Sequence, residues 1–150
     1  MPEFIKSNIF NVPVATLFAF HEREDALQLL TPPFPPVRII SKSAPGLVIG
    51  TRIELQVGFF HWVAIHTAYQ QNVLFIDEQA QGPFARWIHR HEFEDLGGTR
   101  SRLTDRIDFT LPGGSAINFC FGWMVLLGLG RVFKYRHQVT RALTCINEPQ

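Results

Sequence analysis

The stretch Arg86–Glu94, RWIHRHEFE, alternates between two kinds of side chain. Trp87, His89, His91 and Phe93 form one set, and the residues between them are mostly charged. Successive side chains of a β-strand point to opposite faces of its sheet, so this alternation predicts a strand with one solvated and one enclosed face. The charged set must face water, and the Trp-His-His-Phe set is therefore expected to face the interior.

The stretch Arg102–Leu111 continues the same period after a turn signalled by Gly97-Gly98. Its mainly apolar alternate positions include Phe109, and they take Asp105 to the inner face as well. The interior is thus expected to hold a carboxylate, which is costly to bury unless it is paired or hydrogen-bonded.

Outside these two strands, the remaining patterns predict the rest of the architecture. Alternation predicts five further strands, at Glu3–Asn11, Val37–Ser41, Arg52–Phe60, Trp62–Tyr69 and Leu74–Gln79. No helical pattern separates the last six strands, which is typical of an antiparallel meander. Two short helices, near Val14–Phe18 and at Glu24–Leu30, follow strand 1, and a long helix runs from Ser115 to about Leu143. The predicted fold is α+β, a curved seven-stranded antiparallel sheet wrapped around the long C-terminal helix, in one domain over residues 1–150.

Composition limits the classes of partner. The 150 residues are 46% apolar and 18% charged, with a net charge of +1, which excludes a disordered chain. Proteins that follow a nucleic-acid backbone carry a large basic excess, so nucleic acid is not expected as a partner. The 14 phenylalanines predict a thick core or an apolar cavity wall.

Two features bear on the compartment. Cys120 and Cys145 are 25 residues apart on one predicted helix, about 37 Å, too far for a disulfide, and unpaired thiols fit a reducing cytoplasm. The segment MPEFIKSNIF at the start lacks the apolar run of a signal peptide. The apolar run Ile117–Leu129 is shorter than a membrane span and predicts a buried helix, with a membrane-surface or subunit contact as the alternative.

The inward faces define a candidate ligand pocket. On Trp62–Tyr69 the inward positions are expected to be Trp62, Ala64, His66 and Ala68. On Leu74–Gln79 the pattern allows either Phe75, Asp77 and Gln79 or Leu74, Ile76 and Glu78 to face inward, and the first set is preferred because Asp77 could then pair with an inward histidine. An aromatic interior with a few polar anchors is the usual composition of a small-molecule site. The candidate ligand-binding residues are Trp62, His66, Asp77, Trp87, His89, His91, Phe93, Asp105 and Phe109.

Three interpretations of the inward histidines remain open. They are hydrogen-bonded structural residues, anchors for a ligand, or groups for metal or acid–base chemistry. Two histidines at i and i+2 can ligate one ion, with His66 or Asp105 as a third donor, but this pattern is a weak signal. No catalytic residue, metal or cofactor is assigned on this basis. The basic segment Arg131–Arg141, which includes Arg136 and His137, is interpreted as a solvated helix end.

Several motifs together resemble the SRPBCC superfamily, the helix-grip group that includes START domains, polyketide cyclases and the birch-pollen allergens. The motifs are GPFARWIHRHEF at 82–93, GGT at 97–99, LTDRIDFTLP at 103–112, FAFHER at 18–23, LTPP at 30–33 and FKYRH at 133–137. The chain looks most like small bacterial ligand-binding SRPBCC domain proteins, often loosely named cell-division inhibitors. The resemblance implies a sheet that grips the C-terminal helix around a hydrophobic cavity, and a possible epimerase-like partner. Relatives usually have a more polar start to the last helix than Ile117–Leu129.

The expected function is binding of a small hydrophobic or amphipathic molecule between the sheet and the C-terminal helix, in the cytoplasm. One alternative is a cyclase- or dehydratase-type enzyme that uses a His–Asp pair of the cavity. Another is an accessory module whose Ile117–Leu129 face contacts an epimerase-like partner, a second copy or a membrane surface.

Overall fold

The computed structural model describes residues 2–145 and has the predicted order of elements. The strands are β1 Glu3–Phe10, β2 Val37–Lys42, β3 Arg52–Val57, β4 Phe60–Gln70, β5 Leu74–Gln81, β6 Arg86–Asp95 and β7 Ser101–Thr110. The helices are α1 Val14–Glu22, α2 Ala26–Leu29 and α3 Ser115–Cys145. The strands form one antiparallel sheet in the order β1-β7-β6-β5-β4-β3-β2. The α+β helix-grip prediction is confirmed.

The largest boundary difference falls between β3 and β4. The predicted strand Arg52–Phe60 ends at Val57, and Phe60 already belongs to β4. Gly58 has φ +57°, a left-handed conformation that glycine adopts without a steric penalty, so the chain turns there. Phe59 at the tip of this turn is fully exposed.

A β-bulge in β4 changes which side chains face inward. His66 lies opposite Asp77, but Ala68 lies opposite Ile76. Thr67 is therefore an extra residue in β4 that has no residue directly opposite it on β5. Beyond the bulge Tyr69 points inward, against Phe18, and Ala68 points outward. The inward position predicted for Ala68 is therefore wrong, because strict alternation does not continue through a bulge.

Two apolar clusters fill the interior on either side of a polar layer. The first core cluster consists of Phe10, Val12, Leu17, Phe18, Leu47, Phe75, Phe93 and Leu103. The second core cluster is centred on Ile107, Phe109 and Phe133. On β7, Asp105 lies between Leu103 of the first cluster and Ile107 of the second. The inward polar residues of β6 and β7 are thus enclosed by apolar packing along the strands.

The two halves of α3 differ in burial. In the second half, Phe133, His137, Thr140 and Thr144 recur at intervals of three or four residues and are buried. In the first half, the exposed large side chains are Ile117, Phe119, Phe121, Trp123, Met124 and Leu127. Val125, Leu126 and Leu129 are partly buried against the second core cluster. The predicted burial of Ile117–Leu129 is therefore correct for one side of the helix only, because α3 turns its other side away from the sheet and α1.

By length and composition alone, α3 could also cross a membrane. Its most apolar window has a mean hydropathy of 1.6 and is 11% buried. In this fold, however, α3 packs on β1 and α1 as the long helix that the sheet grips. This packing supports a soluble protein, and a cytoplasmic location stays a prediction. Cys120 and Cys145 are free and exposed.

Candidate functional site

The polar side chains that point inward from β4 to β7 belong to two neighbouring rows of directly opposed residues across the sheet. The first row consists of His66, Asp77 and His89. The second row consists of Phe75, His91 and Asp105. Directly opposed residues of antiparallel strands share a face, with about 4.5–5.5 Å between their Cβ atoms. The register therefore brings five titratable side chains together on the concave face.

Asp105 lies at the centre of this cluster and accepts hydrogen bonds from three imidazoles. Its Oδ1 accepts from His89 Nε2 at 2.9 Å and from His91 Nδ1 at 2.8 Å. Its Oδ2 accepts from His137 Nε2 at 2.6 Å. The Asp105 side chain is only 4% exposed. These hydrogen bonds replace the water that the carboxylate loses on burial.

Asp77 faces the opposite edges of two of these imidazoles. Its Oδ2 lies 3.0 Å from His91 Nε2 and 3.7 Å from His89 Nδ1. His91 therefore bridges the two carboxylates through both ring nitrogens, whereas His89 hydrogen-bonds to Asp105 alone. With its side chain 21% exposed, Asp77 is the more accessible carboxylate.

Burial and hydrogen bonding give the two stacked histidines different protonation preferences. Burial and the neighbouring His91 charge lower the pKa of His89 to about 4. Burial also opposes protonation of His91, but hydrogen bonds to Asp105 and Asp77 outweigh it, and the pKa of His91 is raised. Burial alone would raise the pKa of both carboxyls, yet the histidines hold the pKa of Asp77 at about 2 and the pKa of Asp105 well below its usual range. The cluster therefore favours protonation of His91 over protonation of His89.

The solvated helix end predicted for the basic segment is wrong at two positions. His137 is 2% exposed and accepts a hydrogen bond at Nδ1 from Asn8 Nδ2 at 2.7 Å, which leaves Nε2–H to donate to Asp105. Arg136 lines the cavity, and burial lowers the pKa of its guanidinium. The four-residue spacing from Phe133 to His137 was the sequence signal that placed His137 on the buried side of the helix.

A cavity of about 340 Å³ opens on the concave face beside this cluster. Six of the nine candidate residues line it, namely Trp62, His66, Asp77, Trp87, His89 and His91. The other three lie behind the wall, Phe93 and Phe109 in the two core clusters and Asp105 beneath His89 and His91. Among the described lining residues α3 supplies only Arg136, and α1 and α2 close that side instead. The predicted position of the cavity between the sheet and the C-terminal helix is therefore corrected: it lies mainly between the sheet and the short helices, because α3 packs on β1 and α1.

Two further histidines, His66 and His21, line the cavity without a hydrogen bond to either carboxylate. His66 is 3% exposed, and its Nδ1 has no hydrogen-bond partner among the described residues. Burial lowers the pKa of His66. His21, on α1, donates a hydrogen bond from Nδ1 to the Leu17 carbonyl at 2.9 Å, and burial lowers its pKa to about 4. Both lowered pKa values favour neutral rings at pH 7, and both residues line the cavity.

Sequence reasoning missed several lining residues. They are mainly His21, Leu27 and Leu30 of the short helices, Lys42, Leu47 and Leu55 near the β2–β3 edge, and Arg136. The apolar spacing of the two short helices was visible, but it does not show which part of the sheet they cover.

Comparison with known proteins decides the family. A family profile described as polyketide cyclase/dehydrase and lipid transport matches residues 10–127. The chain belongs to this family. Membership of the polyketide cyclase/dehydrase and lipid transport family confirms the resemblance to the SRPBCC superfamily. A sequence comparison with curated proteins finds no match.

Solved structures similar to this family member include enzymes and a longer chain. The nucleoside-diphosphate sugar epimerase from Corynebacterium glutamicum is 25% identical with a TM-score of 0.71, over 93% of this chain but only 28% of its own length. Norcoclaurine synthase from Thalictrum flavum, in complex with dopamine and hydroxybenzaldehyde, has 9% identity and a TM-score of 0.73, over 99% of this chain and 89% of its own. The ZhuI aromatase/cyclase from Streptomyces sp. R1128 has 11% identity and a TM-score of 0.70, over 95% and 93%. At such identities the two smaller enzymes show a shared fold alone.

Proposed function

We propose that the chain binds a small hydrophobic or amphipathic molecule in the cavity on the concave face of the sheet. The observation that carries the proposal is an apolar-walled cavity of about 340 Å³ whose lining includes His66, a histidine with a buried Nδ1 that has no hydrogen-bond partner among the described residues. Small-molecule sites commonly measure about 300–1,000 Å³ and combine apolar walls with few polar groups. A buried polar atom without a partner costs free energy, which a ligand hydroxyl or carbonyl group would recover.

The wall indicates the chemistry of the ligand. Trp62 and Trp87 meet edge to face with ring centroids 5.1 Å apart, and both contribute aromatic surface to the cavity wall. Leu27, Leu30 and Ile53 extend the apolar wall. A planar or ring-containing molecule with one or two oxygen substituents satisfies this wall and His66 together.

Filling the cavity is expected to weaken binding of a suitable probe. Ala64 is buried on the cavity wall, and Ala64→Phe places a ring in the space that the ligand needs. We expect 2-naphthol, a ring pair with one hydroxyl, to bind the wild type and to lose at least about tenfold in affinity in this variant. The measurement is an NMR titration that follows the backbone amides of the cavity wall.

Ala68→Phe is the matched control, because Ala68 lies on the same strand but points outward beyond the bulge. It should bind 2-naphthol as the wild type does. Equal affinities in all three proteins, or shifts that map to α3 instead of the cavity, would contradict the proposed site.

Catalysis by the same cavity stays a prediction. The His–Asp cluster holds groups suited to proton transfer, since His89 and His91, whose pKa values are shifted in opposite directions, lie side by side with ring centroids 3.7 Å apart. No observation selects a reaction, because the similar enzymes share only the fold with this chain.

A second candidate function, as an accessory module, is favoured by the exposed half of α3. We infer that the exposed apolar face of α3 (Phe119, Phe121, Trp123, Met124 and Leu127) contacts a nucleoside-diphosphate sugar epimerase-like protein. Each of these five side chains is at least 50% exposed, an unusual cluster for a soluble surface. Support for this occupant is the Corynebacterium structure, in which a similar domain is part of a longer epimerase chain.

Polar substitution of this face is expected to weaken such a contact. Phe119→Ser combined with Trp123→Ser should reduce affinity for the epimerase-like protein of the same organism by at least about tenfold in calorimetric titration, because aromatic anchors dominate interfaces. Lys134→Ser with Gln138→Ser, on exposed positions further along α3, is the matched control. Self-association or vesicle binding of the isolated wild type, lost in the Phe119/Trp123 variant, would assign the face to a second copy or a membrane surface instead.

A further inference from the structure

Three atoms of the cavity wall are arranged as ligands around one point. Asp77, His89 and His91 each offer one ligand atom, and these three atoms all lie within 4.8 Å of one another. The carboxylate oxygen is 3.0 Å from His91 Nε2 and 3.7 Å from His89 Nδ1. Zinc holds nitrogen and oxygen ligands at about 2.0–2.2 Å, which places tetrahedral ligands about 3.3 Å apart. The two measured separations lie on either side of that value.

Asp105 fixes the tautomers that such a site requires. Its Oδ1 accepts a hydrogen bond from His89 Nε2 and another from His91 Nδ1, so the other nitrogen of each ring faces Asp77. Metal-ligating histidines commonly donate their second N–H to a carboxylate in this way. At His91 Nε2 a metal ion would take the place of the proton shared with Asp77, which would be released on binding. Asp105 is itself held by His137, whose orientation is set by Asn8. The support for both candidate ligands is therefore complete within the protein.

The contact between His89 Nδ1 and Asp77 Oδ2 has no proton or positive charge between its two atoms. When His89 donates from Nε2, its neutral ring carries a lone pair at Nδ1, and this atom faces Asp77 Oδ2 at 3.7 Å. Two electron-rich atoms thus face each other at a distance too long for a hydrogen bond. A cation between them would satisfy both.

We propose that Asp77, His89 and His91 form a binding site for a divalent transition-metal ion. Two imidazoles and one carboxylate suit zinc or ferrous iron, and three protein ligands leave coordination positions open. Asp77, His89 and His91 line the cavity, so the open positions face the space where a small molecule would bind. The third ligand is Asp77, not His66 or Asp105, since both oxygens of Asp105 are occupied by histidines. Ion binding does not depend on the proposed cavity ligand.

The test is titration of the chelator-treated full chain with Co²⁺ alone, followed by its visible d–d absorption. We expect saturation at one ion per chain and competition by Zn²⁺. Asp77→Asn and His89→Ala should each weaken Co²⁺ binding by at least about 100-fold, because each removes a direct ligand. His61→Ala is the matched control, since His61 pairs with Glu54 in a part-exposed contact outside the cluster.

A second readout uses the wild type and so does not depend on the folding of variants. Bound Co²⁺ should broaden the imidazole NMR signals of His89 and His91 more strongly than those of His61. Failure to saturate below millimolar Co²⁺, broadening centred elsewhere, or unchanged affinity in a folded Asp77→Asn protein would overturn the proposal. None of these results depends on 2-naphthol binding, so the experiments can contradict the proposed metal site without contradicting the proposed function, and the reverse.

Discussion

Asp105→Asn is expected to lower the free energy of unfolding by about 3–5 kcal/mol, the cost of breaking a buried charge pair on one side. The asparagine keeps the shape but presents one acceptor oxygen to three imidazole N–H groups. It also removes a negative charge beside His91, whose protonated form depends on Asp105 and Asp77. The loss should therefore exceed that of an ordinary hydrogen bond, about 1 kcal/mol.

Urea unfolding at pH 7 measures this loss, with Asp108→Asn as the matched control. Asp108 lies on the outer face of the same strand and pairs with Arg90, with both side chains partly exposed. The same chemical change there should cost about 1 kcal/mol or less. Similar losses at the two positions would show that the buried histidines do not depend on Asp105.

Acidification is expected to destabilise the protein through His21, by about 3 kcal/mol between pH 6.5 and pH 4. Burial, followed by the charges of His91 and Arg136, favours neutral His21 and lowers its pKa from 6.5 to about 4, although Asp105 and the Leu17 carbonyl oppose this. Below pH 6.5 the unfolded chain binds a proton at this residue and the folded chain does not. Stability from His21 is therefore complete above pH 6.5 and falls as the pH falls towards 4.

The comparison is between urea unfolding of the wild type and of His21→Gln at pH 7.0 and pH 4.5. The glutamine does not titrate but keeps an N–H donor for Leu17, so the variant should lose about 2–3 kcal/mol less than the wild type on acidification. His61→Gln, at a part-exposed position, should lose as much as the wild type does. Identical pH dependence in wild type and His21→Gln would exclude His21 as the source of acid sensitivity.

The fold was predictable because its signals are local. The alternation of side chains at Arg86–Glu94 and at Arg102–Leu111 predicted two strands and the inward face of each, and the turn residues Gly97-Gly98 predicted where the first strand ends and the second begins. The cluster followed in part, since alternation placed His89, His91 and Asp105 on one face. Which of them would line the cavity was not predictable, because Asp105 and His91 share a face but lie at different depths.

The errors come from properties that depend on tertiary packing. His137 lies in a basic segment, and its spacing from Phe133 is the one local sign of burial, whereas its partners Asn8 and Asp105 come from distant strands. Burial of Ile117–Leu129 was inferred from composition, but composition does not tell which side of a helix meets the sheet. The outward turn of Ala68 depends on an extra residue that no local pattern of β4 announces.

That extra residue also bears on how the length of this chain can vary during evolution. Loss of Thr67 would bring Ala68 directly after His66, and both would keep the faces they have now, outward and inward. Loss of any residue between Trp62 and His66 would instead exchange the faces of one part of β4 and turn the cavity side chains into solvent. Single-residue deletions in this strand should therefore be tolerated by selection at Thr67 and eliminated at its neighbours. Because a bulge increases the local twist of a strand, loss of Thr67 should also make the sheet flatter at this point.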